Sequence, residues 1–125
     1  MVRIILSVFL IFHGLIHLIG FITSWKLAKI EDLPHRTTVL AGKVNVGEVG
    51  ARILGALWLL AAIGYLVAGA GLFTLAPWWM GVTIGVTWFS LVLCLLGFPD
   101  AQFGLYIDVI LLIFLYFGGK SGWLL

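Results

Sequence analysis

From Ile53 to Pro99 the chain has no charged residue, a run of 47 positions. As one helix this run would be about 70 Å long at 1.5 Å per residue. That is over twice the ~30 Å hydrocarbon core of a bilayer, so the chain must fold back within it. The expected break lies between Gly69–Ala70–Gly71 and Ala76–Pro77, with Pro77 in the first turn of the next helix. The rest of the chain is of the same kind. Hydrophobic residues make up 63 % and charged residues 10 %, and the mean hydropathy is +1.23. About 25 % charge is usual in a soluble domain, so soluble globular and disordered chains are excluded. A net charge of +2 is too weak for a phosphate-reading surface, and no nucleic-acid partner is expected.

The expected fold is all-α, an integral membrane four-helix bundle forming a single transmembrane domain over residues 1–125. The predicted helices cover 4–25, 48–73, 77–97 and 101–118, each near the ~20 residues that a span requires. Phe98–Pro99–Asp100 reads as a tight turn with Asp100 as N-cap. The N-terminal apolar run is about 20 residues, longer than the 7–15 of a signal-peptide core, and reads as a retained helix. Cys94 is the single cysteine, so no intrachain disulfide can form, and it reads as a small hydrophobe.

Eight of the twelve charged residues fall between Lys26 and Arg52, in and beside the polar loop 26–47. Lys26–Asp32 could form a short interfacial helix ended by Pro34. Thr37–Val46 could form a small hairpin around Gly42–Lys43, or the segment could be an irregular loop. Lys26, Lys29, Arg36, Lys43 and Arg52 share one side of the membrane, against Arg3 and Lys120 on the other. The positive-inside bias then puts loops one and three in the cytoplasm and both termini outside.

Lipid tails are as apolar as leucine, so small and polar residues mark the faces that pack helix on helix. The first helix carries His13, His17, Gly20 and Ser24 at i, i+4, i+7 and i+11. The third carries Thr83, Thr87, Ser90 and Cys94 at the same spacing, beside a Gly81/Gly85 pair. The second repeats Gly55, Ala62 and Gly69 every seven residues. The fourth has Ala101, Gly104 and Asp108.

Ionisable groups inside a span are expensive and are functional candidates by default. Three qualify: His13, His17 and Asp108. Counting helical rise from the loop-one side places His17 about 12 Å deep, Asp108 about 10 Å deep and His13 about 6 Å below His17. Glu48 and Arg52 sit one turn apart at the mouth of the second helix. The expected site is a ligand-binding or proton-relay pocket of His17, Asp108, Arg52 and Glu48, floored by His13. The same residues could instead tie helices together, with Asp108 accepting from His17 or Arg52 and the histidines bonding backbone carbonyls or the Thr/Ser stripe, and Glu48–Arg52 alone reads better as an interfacial pair. A metal held by two histidines and a carboxylate is disfavoured because its third ligand must be guessed from another element. Haem is disfavoured because both histidines are on one helix, so only a dimer could clamp it. No catalytic nucleophile–base pair is visible, and an independent enzyme is not expected.

The run Phe12–His13–Gly14–Leu15–Ile16–His17–Leu18–Ile19–Gly20–Phe21, with Leu57–Trp58–Leu59–Leu60–Ala61–Ala62 and Pro99–Asp100–Ala101–Gln102–Phe103–Gly104, resembles small four-helix prokaryotic membrane proteins of the DoxX-like kind. The resemblance implies a small subunit associated with quinone-linked redox or sulfur chemistry, and it carries over no catalytic residue set. The expected function is an accessory or binding subunit holding a lipophilic ligand such as a quinone or lipid. The alternatives are an oligomeric proton-coupled transporter and a purely structural subunit of a larger membrane complex. Its partners would be the lipid bilayer and either further copies of itself or that larger complex.

Overall fold

The structure, a computed structural model, describes residues 2–25, 38–40, 42–98 and 101–121. It is an all-α four-helix bundle with one minimal hairpin. The helices are α1 (Val2–Ser24), α2 (Gly47–Phe73), α3 (Trp79–Leu96) and α4 (Gln102–Ser121). Between α1 and α2, β1 (Thr38–Val39) pairs antiparallel with β2 (Val44–Asn45), with Thr38 opposite Asn45 and Val39 opposite Val44. The hairpin alternative for this segment therefore holds. The expected interfacial helix over Lys26–Asp32 and the Asp100 cap lie outside the described residues.

Residues 3–23 of α1, together with α2 and α3, are long and apolar enough to cross a membrane. In α4 the apolar stretch Gln102–Gly118 is shorter. Large hydrophobic side chains such as Ile5, Phe12, Val49, Phe103 and Ile110 stand more than half exposed around the bundle. A monomeric soluble protein does not tolerate that much bare apolar surface, whereas lipid solvates it.

Close backbone packing joins neighbours in the chain, α1 to α2, α2 to α3 and α3 to α4. Glycine sets the α1–α2 approach. A Cβ on Gly14 would lie 2.8 Å from Tyr65 Cβ, and one on Gly69 would lie 2.7 Å from Ile11 Cγ1. Leu6 and Leu10 of α1 pack with Tyr65, Ala68 and Leu72 of α2, Trp79 of α3, and Leu111 and Leu115 of α4. This apolar core fills the half of the bundle away from the hairpin.

The α2–α3 reversal follows Phe73, the expected end of the second helix, and α3 begins two residues later than expected. Gly69 and Gly71 are buried inside α2 as packing positions, and the turn follows them at Thr74–Trp78. Ala76 N–H donates to Gly71 O (2.8 Å) and Leu75 N–H to Leu72 O (3.1 Å), the pair of bonds that closes a helix C-terminus in a Schellman motif. Leu75 takes the left-handed position (φ 58°) that glycine usually fills, at a cost of roughly 1–2 kcal/mol. Pro77 precedes α3 within a tight turn closed by Trp79 N–H to Ala76 O (3.1 Å), instead of opening the helix itself. Two further bonds close the ends of the bundle. Arg3 donates a guanidinium N–H to Phe73 O, placing a cation on the C-terminus of α2. Leu40 N–H donates to Leu96 O (2.8 Å), so the hairpin satisfies a terminal carbonyl of α3.

Candidate functional site

His13 and His17 are four residues apart, so their side chains leave the same face of α1 one turn apart. That face is buried, and both histidines are 2 % exposed. Their rings meet edge to face with centroids 4.7 Å apart. Tyr65 of α2 lies 4.7 Å from the first ring and 5.0 Å from the second. Trp58 tilts over His17 at 5.2 Å, and Phe9 stacks nearly parallel on His13 at 5.8 Å. The two imidazoles are thus walled by aromatic rings from α1 and α2.

On α3 the stripe read from the sequence is fully buried: Thr83, Thr87, Ser90 and Cys94 are each 0 % exposed. Thr83 and Thr87 return their hydroxyl protons to the carbonyls four residues back, at 2.7 and 2.6 Å, so neither demands an outside acceptor. Ser90 does not; its Oγ lies 2.6 Å from Asp108 Oδ2 and 2.5 Å from His17 Nε2. Asp108, on α4, is 0 % exposed. Its Oδ1 lies 2.8 Å from His13 Nε2 and accepts from the Tyr65 hydroxyl at 3.2 Å. Its Oδ2 also receives the Cys94 thiol at 3.6 Å. Tyr65 is within 3.2 Å of Thr87 Oγ1 as well. The result is a closed polar centre to which all four helices contribute. Among the described residues no buried side-chain nitrogen or oxygen lacks a partner.

A lone carboxylate facing hydrocarbon costs at least ~2.5–3.5 kcal/mol on insertion scales. The four groups around Asp108 remove that cost by giving both its oxygens hydrogen-bond donors.

The structure brings together three of the five residues expected from the sequence. His13, His17 and Asp108 converge, but with exchanged roles. His13, expected as the floor, bonds Asp108 directly, and His17 reaches it through Ser90. Depth counting assumed that all helices start at one level, and a single turn of offset, 5.4 Å, is enough to exchange the two histidines.

Arg52 and Glu48 are outside the centre. Both are exposed on α2, whose inward positions on that turn are Ala51 and Gly55. The Arg52 guanidinium lies over the Trp25 ring at 5.4 Å, and its carbonyl accepts the Trp25 indole N–H at 2.8 Å. Among the described residues it makes no bond to Asp108. An arginine has a nearer refuge on an interfacial tryptophan than in the bundle interior, and its long stem lets it take that refuge.

Tyr65, Ser90 and Cys94 complete the centre. His17 bonds a backbone carbonyl and Ser90 of the Thr/Ser stripe, as the structural alternative expects, while Cys94, expected as a small hydrophobe, and Tyr65 are additions to it. Tyr65 sits three residues past Ala62, on the side of α2 marked by Gly55, Ala62 and Gly69, and that spacing could have found it. The Gly81/Gly85 pair has open space where a Cβ would stand, and both glycines are exposed, so it packs against nothing in this bundle.

His13, His17 and Asp108 each offer one ligand atom, and these lie within 4.8 Å of one another. Atoms that share a tetrahedral zinc ion at ~2.0–2.2 Å stand about 3.4 Å apart. The 2.8 Å between His13 Nε2 and Asp108 Oδ1 is instead a hydrogen-bond contact. Both His17 ring nitrogens are also engaged, one on a carbonyl and one on a hydroxyl. The contacts are those of a proton-filled network, and these residues are not assigned as metal ligands. Comparison with protein-family models, with curated proteins and with solved structures found no match for this chain.

Proposed function

We propose that this chain is a small membrane-embedded binding subunit whose buried centre takes a lipophilic ligand with hydrogen-bonding oxygens, of which a quinone fits best and a lipid head group next. The observation that carries this reading is the buried Asp108–His13 pair with Phe9 stacked on the imidazole. Phe9 is 38 % exposed on the outer face of α1 while its ring covers His13. A flat ligand arriving from the lipid phase can replace that ring with its own. It then meets aromatic walls, an imidazole donor for a carbonyl and a carboxylate able to take part in proton exchange. The likeness to DoxX-like proteins supports the same chemistry. In this proposal all four helices span a prokaryotic cytoplasmic membrane, loops one and three lie in the cytoplasm, and the protein works as an oligomer or within a larger membrane complex.

The test is purification in mild detergent followed by mass analysis of the extracted small molecules. The wild type is expected to carry a quinone, and His13→Ala to lose it. A wild type that carries none, and that binds no added ubiquinone or menaquinone analogue, would overturn the reading. One observation favours a second, structural reading: every described buried polar side-chain atom is already satisfied within the chain. An intact bundle with no ligand would leave that reading in place.

A further inference from the structure

The hydrogen bonds of the centre can be balanced proton by proton. His17 Nδ1 lies 2.7 Å from His13 O, and a carbonyl can only accept, so Nδ1 carries a hydrogen. A ring turned over by 180° would put carbon at both polar contacts and forfeit both bonds, so the orientation is fixed by its partners. His17 Nε2 is 2.5 Å from Ser90 Oγ, and Ser90 Oγ is 2.6 Å from Asp108 Oδ2. The Ser90 hydroxyl has one hydrogen for two such contacts. If it donates to Asp108, Nε2 must donate to Ser90, and His17 is an imidazolium beside a carboxylate. If it donates to Nε2, Oδ2 must donate to Ser90, and a neutral imidazole faces a carboxylic acid. Either way the pair holds one proton beyond the Nδ1 hydrogen, and its net charge is zero.

We infer that His17 and Asp108 share one proton through the Ser90 hydroxyl, which makes Ser90 the switch of a proton link between α1 and α4. In the forward step the Nε2–H bond breaks and its proton goes to Ser90 Oγ. The Ser90 proton goes to Asp108 Oδ2. His17 is left neutral with its Nδ1 hydrogen, Asp108 becomes the acid, and Ser90 now points at Nε2. No electrons move and nothing is added or lost.

The site suits this exchange because neither end state leaves an unpaired charge: one is a hydrogen-bonded ion pair and the other is uncharged. The other titratable groups facing the pair are His13 from α1, Tyr65 from α2 and Cys94 from α3. His13 Nε2 and the Tyr65 hydroxyl both contact Oδ1, so they hold the carboxyl in place without competing for Oδ2.

The inference deepens the proposed function by giving its site a proton to exchange, and it is tested separately from ligand binding. The full chain is placed in lipid nanodiscs with ¹⁵N-labelled histidine. Magic-angle-spinning NMR reads the fraction of His17 with Nε2–H, and infrared spectroscopy reads the fraction of Asp108 with the C=O band of a carboxylic acid. The two fractions are expected to sum to one. A sum of zero or two would overturn the sharing. In Asp108→Asn the amide N–H takes the place of the acid O–H, so that variant is expected to fold, to lose the acid band and to hold His17 as the neutral Nδ1–H form. An imidazolium that persists there would also overturn it. Ser90→Ala is expected to let the two fractions vary independently with pH, and Ser90→Thr to restore their sum. If Ser90→Ala does not fold, the wild type and Asp108→Asn decide. An absent quinone with a sum of one defeats only the ligand reading, and a bound quinone with another sum defeats only the shared proton.

Discussion

Asp108 is the residue on which the centre depends, and its neighbours set what a substitution there does. Alanine would strand donors from His13, Tyr65 and Ser90 in a dry interior, and breaking a buried network of this kind costs about 3–5 kcal/mol. Asparagine keeps the shape and copies the protonated state, so its cost is expected to stay below about 1 kcal/mol. Glu48→Gln, at an exposed position, is expected to fall within about 0.5 kcal/mol of wild type. Thermal unfolding of the three variants in one detergent would check this order. If Glu48→Gln were as damaging as Asp108→Ala, the centre would not be where the energy lies. At this scale the sequence was legible where chemistry alone decides: an aspartate and two histidines inside spans must find partners. It was less legible where geometry decides. Which histidine touches Asp108 turns on an offset of one helical turn, and no residue type encodes that offset. Ser90 was legible only as one hydroxyl of a stripe, because serine and threonine in a membrane helix usually satisfy themselves on their own backbone, as Thr83 and Thr87 do here.

For the helices, small residues mark close approach only where a neighbour is present. Gly14 lets α1 come near enough to Tyr65 for both imidazoles to reach that ring. Gly14→Val would push a side chain into Tyr65 Cβ and Ala62 O, at 2.8 and 3.0 Å from the new Cβ. The first of these is a stiff point near the backbone and the second is backbone itself, so the helices must part. The expected loss is about 1–3 kcal/mol, together with loss of the His13–Asp108 contact. Gly85→Ala, where nothing stands within 4 Å, is the control and should be neutral or slightly stabilising. Equal losses for the two variants would mean that α1 and α2 do not pack as described. The seven-residue glycine and alanine repeat on α2 and the polar stripe on α3 were both readable in advance. The place of the α2–α3 turn after Phe73 was readable too, but its form was not, because Leu75 occupies a backbone position that sequence reasoning assigns to glycine.

At the scale of the whole molecule, the charge-free run and the composition were enough to give an all-α membrane bundle of four helices. What they could not give is which loop faces which compartment in a chain with so few basic residues. Lys43 is exposed at the hairpin and suits a direct test. Cys94 is fully buried, so Lys43→Cys would be the accessible thiol among the described residues. Membrane-impermeant maleimide is expected to leave it unlabelled in intact cells and to label it after the membrane is opened. Efficient labelling from outside would reverse the proposed orientation.

The place of Asp108 within α4 has a consequence for how the protein is made. α1, α2 and α3 are long and apolar enough to partition into a bilayer on their own, whereas α4 carries Asp108 inside it. During synthesis it leaves the ribosome after its partners. His13, Tyr65 and Ser90 on α1, α2 and α3 offer it hydrogen-bond partners that lower the cost of taking its acid into the membrane. The polar centre thus couples the membrane integration of α4 to the presence of the three helices before it.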